Sequence, residues 1–429
     1  MAHPLVFICP VCSAEDSIRK SVCAICGQEF RITPDSITFA GKTWTLPTLK
    51  AWMINEISIQ QQQSILDYRH SPIRDSAIES PLRISGRAAL RQGNRQTVFQ
   101  SFANIFQRAI TCPVKVADGY LVISKTRFYF VTPRELKIFP LEDLTCITTN
   151  SHYFEFKMQN EPVWQIEFAE ESPLKYEILF QKLVSEYYAE KGLTCIEYQP
   201  RIRFSNPDLH PLRLKLNSKS PAKETPFQSI LVNFLRFILR TFFRIFIKVT
   251  VQGRNLLPED YPFVAILNHQ SIFDPFIILA FLDRRIGFLT KSTSFCGLFE
   301  QRILRLGKAI PTTRYYTDPQ VIYHLRLFLG KGIPVGIFPE GERCWDGEMQ
   351  KFKISVIRLL TQMEIPLVPI VIRNSFHFFP RWAKLPGHEK VELIVLPPFG
   401  IVPDLFDYET IRKFIEDQFS SILILQSEK

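Results

Sequence analysis

The residues with the clearest chemical potential lie in one short stretch, Asn-His-Gln-Ser-Ile-Phe-Asp-Pro at positions 268–275. It sits inside an apolar run, residues 263–281, where His269 and Asp274 need polar partners because buried polar groups cost free energy when unpaired. An imidazole held by a carboxylate is a general base. Five residues apart, two side chains lie on different faces of a regular helix, so this pair can meet only where a loop turns into a helix, a junction that Pro275 suits. The alternative is a core histidine and a helix-capping aspartate that never meet.

Three further stretches place polar residues beside apolar runs. Residues 337–343, Ile-Phe-Pro-Glu-Gly-Glu-Arg, come at the end of such a run and are predicted to be the exit of a buried strand. Residues 306–314 read Leu-Gly-Lys-Ala-Ile-Pro-Thr-Thr-Arg, and residues 367–372 read Leu-Val-Pro-Ile-Val-Ile. With the first stretch they form an ordered series of four motifs.

This series resembles the glycerolipid (lysophospholipid) acyltransferases, in particular the 1-acylglycerol-3-phosphate acyltransferases. Their first motif, Asn-His, four residues, Asp, matches residues 268–274, and their Val-Pro strand matches residues 367–372. Their second motif pairs a Gly with a later Arg, matched by Gly307 and Arg314. Their Phe-Pro-Glu-Gly-Thr-Arg motif matches residues 338–343, except that Glu342 replaces the Thr. The resemblance covers roughly residues 226–400.

The resemblance implies transfer of a fatty acyl group from an acyl thioester, acyl-CoA or acyl carrier protein, to a hydroxyl of a lysophospholipid or glycerol phosphate, in phospholipid synthesis or remodelling. His269 would take the proton of the attacking hydroxyl, and Asp274 would orient the imidazole. The remaining substrate-binding residues that the resemblance implies are Arg314 as a phosphate contact, and Gly307, Glu340, Gly341 and Arg343 around the acceptor.

Two departures from the family pattern bear on the substrate more than on the reaction. Glu342 adds a negative charge beside the expected anion site, and Ser355 stands where the family often has the Gly of Phe-Lys-x-Gly. The rival hypothesis is a non-catalytic membrane adaptor built on an acyltransferase fold. Four intact motif residues count against it: His269, Asp274, Glu340 and Arg314.

Composition and charge point toward lipid. The chain of 429 residues is long enough for about three domains, and its 37 Phe favour lipid or membrane contact. Residues 201–254 hold eleven basic and two acidic residues, nearly all of the net charge of +10. Such a block binds polyanions, either lipid headgroups or nucleic acid. Because no basic motif interleaved with aromatic residues accompanies it, nucleic acid is the less favoured partner and an anionic membrane surface is expected.

The predicted location is the cytoplasmic face of a membrane, as a peripheral or monotopic protein. The first residues lack the basic start of a secretory signal, and the apolar run at residues 5–8 is too short for one. Nine Cys without such a signal fit a reducing compartment, where disulfides are rare.

Four cysteines near the start form two Cys-x-x-Cys hooks, Cys9 with Cys12 and Cys23 with Cys26. Tetrahedral zinc takes four soft ligands, and each hook supplies two from one tight turn. A redox dithiol or a chance spacing is the alternative. Two hooks in 18 residues favour a structural zinc ribbon over residues 1–35, with a protein partner as a further expectation.

The middle of the chain is predicted to hold a second domain. Residues 36–98 are interpreted as a helix, residues 46–68, followed by a polar linker, residues 71–96. Residues 99–192 show apolar period two in six strands between residues 120 and 168, and then a helical pattern over residues 173–188. This order loosely resembles a pleckstrin-homology or GRAM-like domain, an antiparallel β-barrel capped by a helix. Such domains bind lipids or proteins, and a purely structural module is the alternative.

The last part is predicted to be a basic linker, residues 193–225, and then a membrane-associating helix with an α/β acyltransferase domain, residues 226–429. The helix, residues 227–249, is almost wholly apolar apart from Asn233 and a ladder of cations: Arg236, Arg240, Arg244 and Lys248. Charges spaced by four occupy one stripe, which suits a helix lying in the membrane interface better than a span. A packed helix with a solvated basic face is the alternative. Alternating strands and helices after it predict a multidomain protein whose last domain has a mostly parallel sheet, with the site at the strand ends.

Overall fold

The structure, a computed structural model, describes residues 3–59, 78–193, 226–313, 318–363, 365–401 and 407–424. These residues form two compact units. The first comprises the described residues of 1–97 and 111–201, and the second those of 98–110, 202–313 and 318–429. Each unit is described by itself below.

The first unit begins with small antiparallel elements and one helix. β1 pairs with β2, and β3, β4 and β5 form a three-stranded sheet. Thr45 begins the helix, since its side chain accepts a hydrogen bond from the Thr48 N–H, and a proline in the first turn fits that position. The helix ends at Glu56, and residues 60–68 of the predicted helix lie outside the described residues. The bounds are β1 Ile18–Arg19, β2 Val22–Cys23, β3 Arg31–Ile32, β4 Ser36–Phe39, β5 Lys42–Thr45 and α1 Leu46–Glu56.

Seven longer strands and a helix follow. Their order in the sheet is β10-β11-β12-β6-β7-β8-β9. All six strands predicted between residues 120 and 168 are present, and so is the helix that begins at Pro173. Within the described residues no hydrogen-bonded pair joins the outer strands β10 and β9, so the sheet is open where a barrel is predicted. The bounds are β6 Arg83–Gln100, β7 Gln107–Ile123, β8 Arg127–Val131, β9 Leu136–Pro140, β10 Leu144–Thr149, β11 Tyr153–Met158, β12 Val163–Phe168 and α2 Pro173–Glu190.

The predicted linker at residues 71–96 is wrong from Arg83 onward, because β6 begins there. Its polar and glycine content hides the strand, yet Ala88 and Leu90 are buried and the strand pairs with β12. Strand propensity here is overridden by the neighbouring strand, which supplies the hydrogen-bonding partner.

A buried ionic network joins the N-terminal elements to the sheet and to α2. Lys175 in α2 pairs with Asp16, and its Nζ lies 2.7 Å from a Glu171 oxygen and 3.7 Å from a Glu15 oxygen. Arg83 in β6 binds Glu15 through both terminal nitrogens. Glu15 and Asp16 lie between the two cysteine hooks, so the segment between the hooks, the sheet and the helix share one ionic network around two buried cations.

The second unit alternates helices and strands around a seven-stranded sheet of order β13-β19-β18-β14-β17-β15-β16. Five of its six strand pairs are parallel, and β18 with β19 is antiparallel. The bounds are α3 Pro226–Phe246, β13 Ile247–Gln252, β14 Val264–Leu267, α4 Asp274–Phe281, β15 Gly287–Lys291, α5 Leu298–Leu306, β16 Ile310–Thr312, α6 Pro319–Gly330, β17 Val335–Ile337, α7 Ile354–Thr361, β18 Leu367–Arg373, α8 Ser375–Phe378, β19 Glu389–Val395 and α9 Tyr408–Ile424.

The core of this unit lies where α3 and α4 pack on the sheet. Phe243 of α3, Ile277 and Ile278 of α4 and Val368 of β18 belong to one buried apolar cluster. β14 is buried along its whole length and lies between β17 and β18, parallel to both. The carboxyl ends of β14 and β17 therefore meet at one edge of the sheet, where ligand sites of such folds are built.

Helix α3 differs from the prediction in where it ends and in what two of its arginines bind. It stops at Phe246, so Lys248 lies in β13. Arg236 donates to the Leu282 carbonyl at 2.6 Å and Arg240 to the Ala280 carbonyl at 2.5 Å, so both serve the end of α4, where carbonyls lack helical partners. The predicted headgroup role of these two arginines is therefore wrong. Of the described helices, none has both the length and the apolar character to cross a membrane.

We expect Lys175→Met to destabilise the first unit by about 3–5 kcal/mol, because it leaves buried carboxylates without their cation. Denaturation followed by circular dichroism measures this change in the free energy of unfolding. Lys115→Met is the matched control, since its pair with Asp118 is exposed and exposed pairs contribute about 1 kcal/mol or less. An effect of Lys175→Met no larger than the control would contradict the stabilising role of the network.

Candidate active site

His269 and Asp274 meet, as the sequence predicts, where a loop turns into a helix. β14 ends at Leu267, and Asp274 is the first residue of α4. The His269 Nδ1 and Asp274 Oδ2 atoms are 2.9 Å apart, and the carboxylate is fully buried. With Nδ1 donating to the carboxylate, the lone pair of the imidazole lies on Nε2.

The same carboxylate oxygen shapes the loop between them. Asp274 Oδ2 also accepts the backbone N–H groups of Gln270 and Ser271, each at 2.8 Å. Three donors on one oxygen compensate the cost of burying it and hold the loop to the helix.

Asn268 ties the loop to the neighbouring strand. Its side chain donates to the Ile372 carbonyl at 2.8 Å and accepts the Ile372 N–H at 2.7 Å. This two-point bond links the end of β14 to β18, the strand of the Val-Pro motif. The resemblance marks Asn268 as part of the motif, whereas only the structure assigns it this tie.

Glu340 lies beneath the backbone of the histidine. One carboxyl oxygen accepts the His269 N–H at 2.6 Å, and the other accepts the Gln350 N–H at 2.8 Å. Burial, with the nearby charges of Asp274 and Glu342, raises the pKa of Glu340 well above its usual range. Both oxygens are used in fixing backbone, which places Glu340 as a support of the site.

Aromatic rings restrain the imidazole from the other side. The Phe338 ring stacks on the His269 ring with centroids 4.1 Å apart and an interplanar angle of 23°. Phe288 stacks in turn on Phe338 at 5.6 Å. The carboxylate and the ring together leave the imidazole one orientation.

Gly341 meets a steric requirement of the Phe-Pro-Glu-Gly segment. Its φ is +77°, a conformation that side chains disfavour, and a Cβ would lie 2.7 Å from Cε of Lys353. The departure at Glu342 is compensated by Arg381, whose guanidinium lies 3.4 Å from the Glu342 carboxylate. Arg381 also donates to the Arg343 carbonyl at 3.0 Å, so the added charge is paired beside that residue.

The second motif is described only up to Thr313. Gly307 follows the last residue of α5, and its N–H donates to the Ile303 carbonyl at 2.9 Å. Arg314, the predicted phosphate contact, lies outside the described residues.

Lys308, which the sequence analysis does not single out, is buried and has a left-handed backbone conformation. Burial, with the charges of Arg285 and Arg284, lowers its pKa to about 8. A lysine inside an otherwise apolar segment was the available signal.

The four cysteines of the hooks come together. Their sulfur atoms all lie within 4.8 Å of one another, with Cys9 to Cys26 at 3.8 Å and Cys12 to Cys23 at 3.7 Å. Four sulfurs about 2.3 Å from a tetrahedral zinc ion lie about 3.8 Å apart, so this cluster fits the ion.

Comparison with known proteins finds similarity to acyltransferases over part of the chain. The family model described as Acyltransferase matches residues 248–373. A Brassica napus protein named 1-acyl-sn-glycerol-3-phosphate acyltransferase BAT2, chloroplastic, is 28% identical over 176 residues, 40% of this chain and 51% of that protein. The human 1-acyl-sn-glycerol-3-phosphate acyltransferase alpha is 27% identical over 164 residues, 37% of this chain and 58% of that protein. The chain thus spans about half the length of these curated relatives.

A solved structure is also similar. The crystal structure of the 1-acyl-sn-glycerophosphate (LPA) acyltransferase, PlsC, from Thermotoga maritima aligns with a TM-score of 0.40 and 22% identity, over 47% of this chain and 82% of that chain. The residues that match the family model include the His269–Asp274 pair and the Phe-Pro-Glu-Gly segment. Residues 248–373 thus match the acyltransferase family model, and all four ordered motifs lie within them.

Proposed function

We propose that this protein is an O-acyltransferase that moves a fatty acyl group from acyl-CoA or acyl carrier protein to a hydroxyl of a lysophospholipid or glycerol phosphate. The observation that carries the proposal is the His269–Asp274 pair, held at the end of β14 by a buried oxygen with three donors. Since the relatives are named for 1-acyl-sn-glycerol 3-phosphate, that lipid is the first acceptor to test.

The chemistry follows from the orientation of the imidazole. Nε2 of His269 takes the proton of the acceptor hydroxyl as the hydroxyl oxygen attacks the thioester carbonyl carbon. The tetrahedral intermediate collapses, the carbon–sulfur bond breaks, and the thiolate takes the proton back from the imidazolium. Asp274 stabilises that imidazolium, so no nucleophilic side chain of the protein is needed.

The acceptor would lie beside the second and third motifs. Gly307, Gly341 and Arg343 line the acceptor site in this proposal, and Arg314 binds its phosphate, a role that a planar cation with five donors suits. Glu340 belongs to the same site in this proposal, where its hydrogen bonds from the His269 and Gln350 N–H groups hold the backbone of the base in position.

We propose that the protein associates peripherally with an anionic membrane at its cytoplasmic face, through α3. One side of this helix packs on the core through Phe243, while the other exposes a stripe of large apolar residues. Arg244 and Lys248 are exposed as well, and therefore suit lipid phosphates. The exposed stripe consists of Ile230, Leu231, Phe234, Phe237, Ile238 and Ile245.

We also propose that Cys9, Cys12, Cys23 and Cys26 hold one structural zinc ion. All four ligands come from the protein, so the ion would stabilise the ribbon and take no part in the reaction. Val11 and Ile25, inside the two hooks, are exposed, which supports a protein partner at the ribbon. The pleckstrin-homology or GRAM-like character of the following domain remains a hypothesis that rests on its strand order and final helix.

For catalysis, we expect His269→Ala to lower turnover about 10²–10⁴-fold, the usual contribution of a general base. Asp274→Asn should lower it too, and the double variant should be little worse than His269→Ala because the two act as a unit. The assay measures acyl transfer from acyl-CoA and from acyl carrier protein to 1-acylglycerol 3-phosphate and other lysolipids. His152→Ala, an exposed histidine of the other unit, is the matched control. Near-normal turnover of His269→Ala would falsify the mechanism, and a folded wild type inert on every acceptor would favour the adaptor.

For membrane binding, Arg244→Gln with Lys248→Gln should weaken sedimentation with anionic vesicles by about 1 kcal/mol per charge. Phe234→Ser with Phe237→Ser should weaken binding to anionic and neutral vesicles alike, because it removes exposed apolar area that would become buried in the membrane interface. Equal losses on both vesicle types for the charge variant would show that these cations do not face headgroups.

For the ribbon, elemental analysis of the purified protein should give about one zinc per chain. Cys12→Ser with Cys26→Ser should lose the metal and lower the thermal stability of the first unit, because metal binding and folding are coupled in such sites. Protein without zinc that carries two disulfides among these cysteines would refute the zinc site.

A further inference from the structure

An element outside the matched acyltransferase residues holds both ends of the connection from β16 to α6. This element is the hairpin tip, residues 98–110, which joins β6 to β7 and belongs to the second unit. Its Arg108 donates through Nη1 to the Pro311 carbonyl in β16 and pairs through Nη2 with Asp318. Asp318 is the residue that begins α6, where its other oxygen accepts the Gln320 N–H at 3.1 Å. One guanidinium therefore bridges a strand end and a helix start.

Aromatic contacts seat the hairpin tip on the same elements. The Phe106 ring stacks on the His324 ring of α6 with centroids 3.8 Å apart and an interplanar angle of 15°. Phe99 meets Phe295 edge to face at 4.4 Å. Burial and the Arg108 charge lower the pKa of His324 to about 4, so its ring stays neutral in this stack near neutral pH. Arg108 and these four rings are all buried.

The hairpin tip also contacts the start of the second motif. Nζ of Lys308 lies 5.6 Å from the centre of the Phe102 ring. Asn104 Oδ1 accepts a hydrogen bond from Arg305 in α5 at 3.2 Å. Together with the Arg108 bonds, these contacts occur within residues 307–313 and just before and after them. Residues 307–313 are the described part of the motif that the resemblance assigns to the acceptor phosphate.

The chemistry of the bridge favours a positioning role over simple packing. Arginine presents several donors in a rigid fork, so one side chain can bind a carbonyl and a carboxylate at once, which lysine does poorly. A buried ion pair adds little net stability compared with an apolar replacement, and its best-attested value is to fix one arrangement. Binding sites gain affinity when their supporting residues hold them within a fraction of an ångström.

We propose that Arg108 is a positioning residue for the acyl acceptor: it fixes β16 and the start of α6 so that residues 307–313 bind the acceptor's phosphate end. The inference rests on the proposed acyltransferase function. It makes the hairpin tip a part of the acceptor site that lies about 140 residues before the matched domain begins. Arg108 acts through the residues that it holds, and the proton transfer remains with His269.

The test compares Arg108→Gln and Arg108→Lys with wild type in steady-state assays that vary each substrate separately. We expect Arg108→Gln to raise the acceptor KM about 10–100-fold, the range of one lost charge-assisted contact, with the donor KM within about twofold of wild type. The preference for 1-acylglycerol 3-phosphate over monoacylglycerol of the same chain should fall by a similar factor. Arg108→Lys should show a smaller loss. Arg91→Gln is the matched control, because it removes an ion pair between Arg91 in β6 and Glu167 that is partly exposed to solvent and belongs to the other unit.

Binding in the absence of turnover separates this inference from the proposed function. Calorimetric titration of 1-acylglycerol 3-phosphate into His269→Ala protein should give a dissociation constant that the added Arg108→Gln raises about 10–100-fold. If Arg108→Gln does not fold, Phe106→Leu, which loosens the stack and keeps the ion pair, should give a smaller loss of the same kind. An active wild type whose acceptor KM and phosphate preference are unchanged in folded Arg108→Gln would overturn the inference alone. A wild type that binds and acylates no acceptor would overturn the proposed function with it.

Discussion

The hydrogen bonds to one buried oxygen, Oδ2 of Asp274, are the interaction on which the candidate active site depends. A carboxylate without contact with solvent needs several donors, and here the imidazole of His269 and two backbone N–H groups supply them. To deliver all three, the chain must leave β14 in a tight loop and enter α4 at the aspartate itself. The same bonds that compensate the buried charge therefore orient the base.

The sheet extends this arrangement to the neighbouring strands. Asn268 binds β18 through both the nitrogen and the oxygen of its side-chain amide, and Glu340, just after β17, binds the backbone of His269. Since β14 lies between β17 and β18, three strand ends are tied together by side chains that are wholly buried. The backbone of the base is thus fixed by hydrogen bonds from both neighbouring strands.

The sequence was informative where local spacing carries the signal, and uninformative where partners are distant along the chain. The His269–Asp274 contact and the cysteine cluster follow from short spacings, and the strands after residue 119 follow from their period. The bond of Arg240 to the end of α4 could not be predicted, because a cation spaced every four residues is equally suited to lipid phosphates and to helix carbonyls. The pairing of Glu342 with Arg381 has no local signal in the sequence, because 38 residues lie between them in the chain.

The buried lysine of α2 has a consequence for how this protein can be divided. Its carboxylate partners Glu15 and Asp16 lie in the loop between the cysteine hooks, so the ribbon supplies counter-charges to the core of its neighbour. A ribbon exchanged for a homologous one, or trimmed away at residue 35, would leave the buried ammonium group of Lys175 with Glu171 as its one remaining carboxylate partner among those described above. The first 35 residues are therefore not an interchangeable module: they must be inherited, transplanted and engineered together with the sheet and the helix whose charge they neutralise.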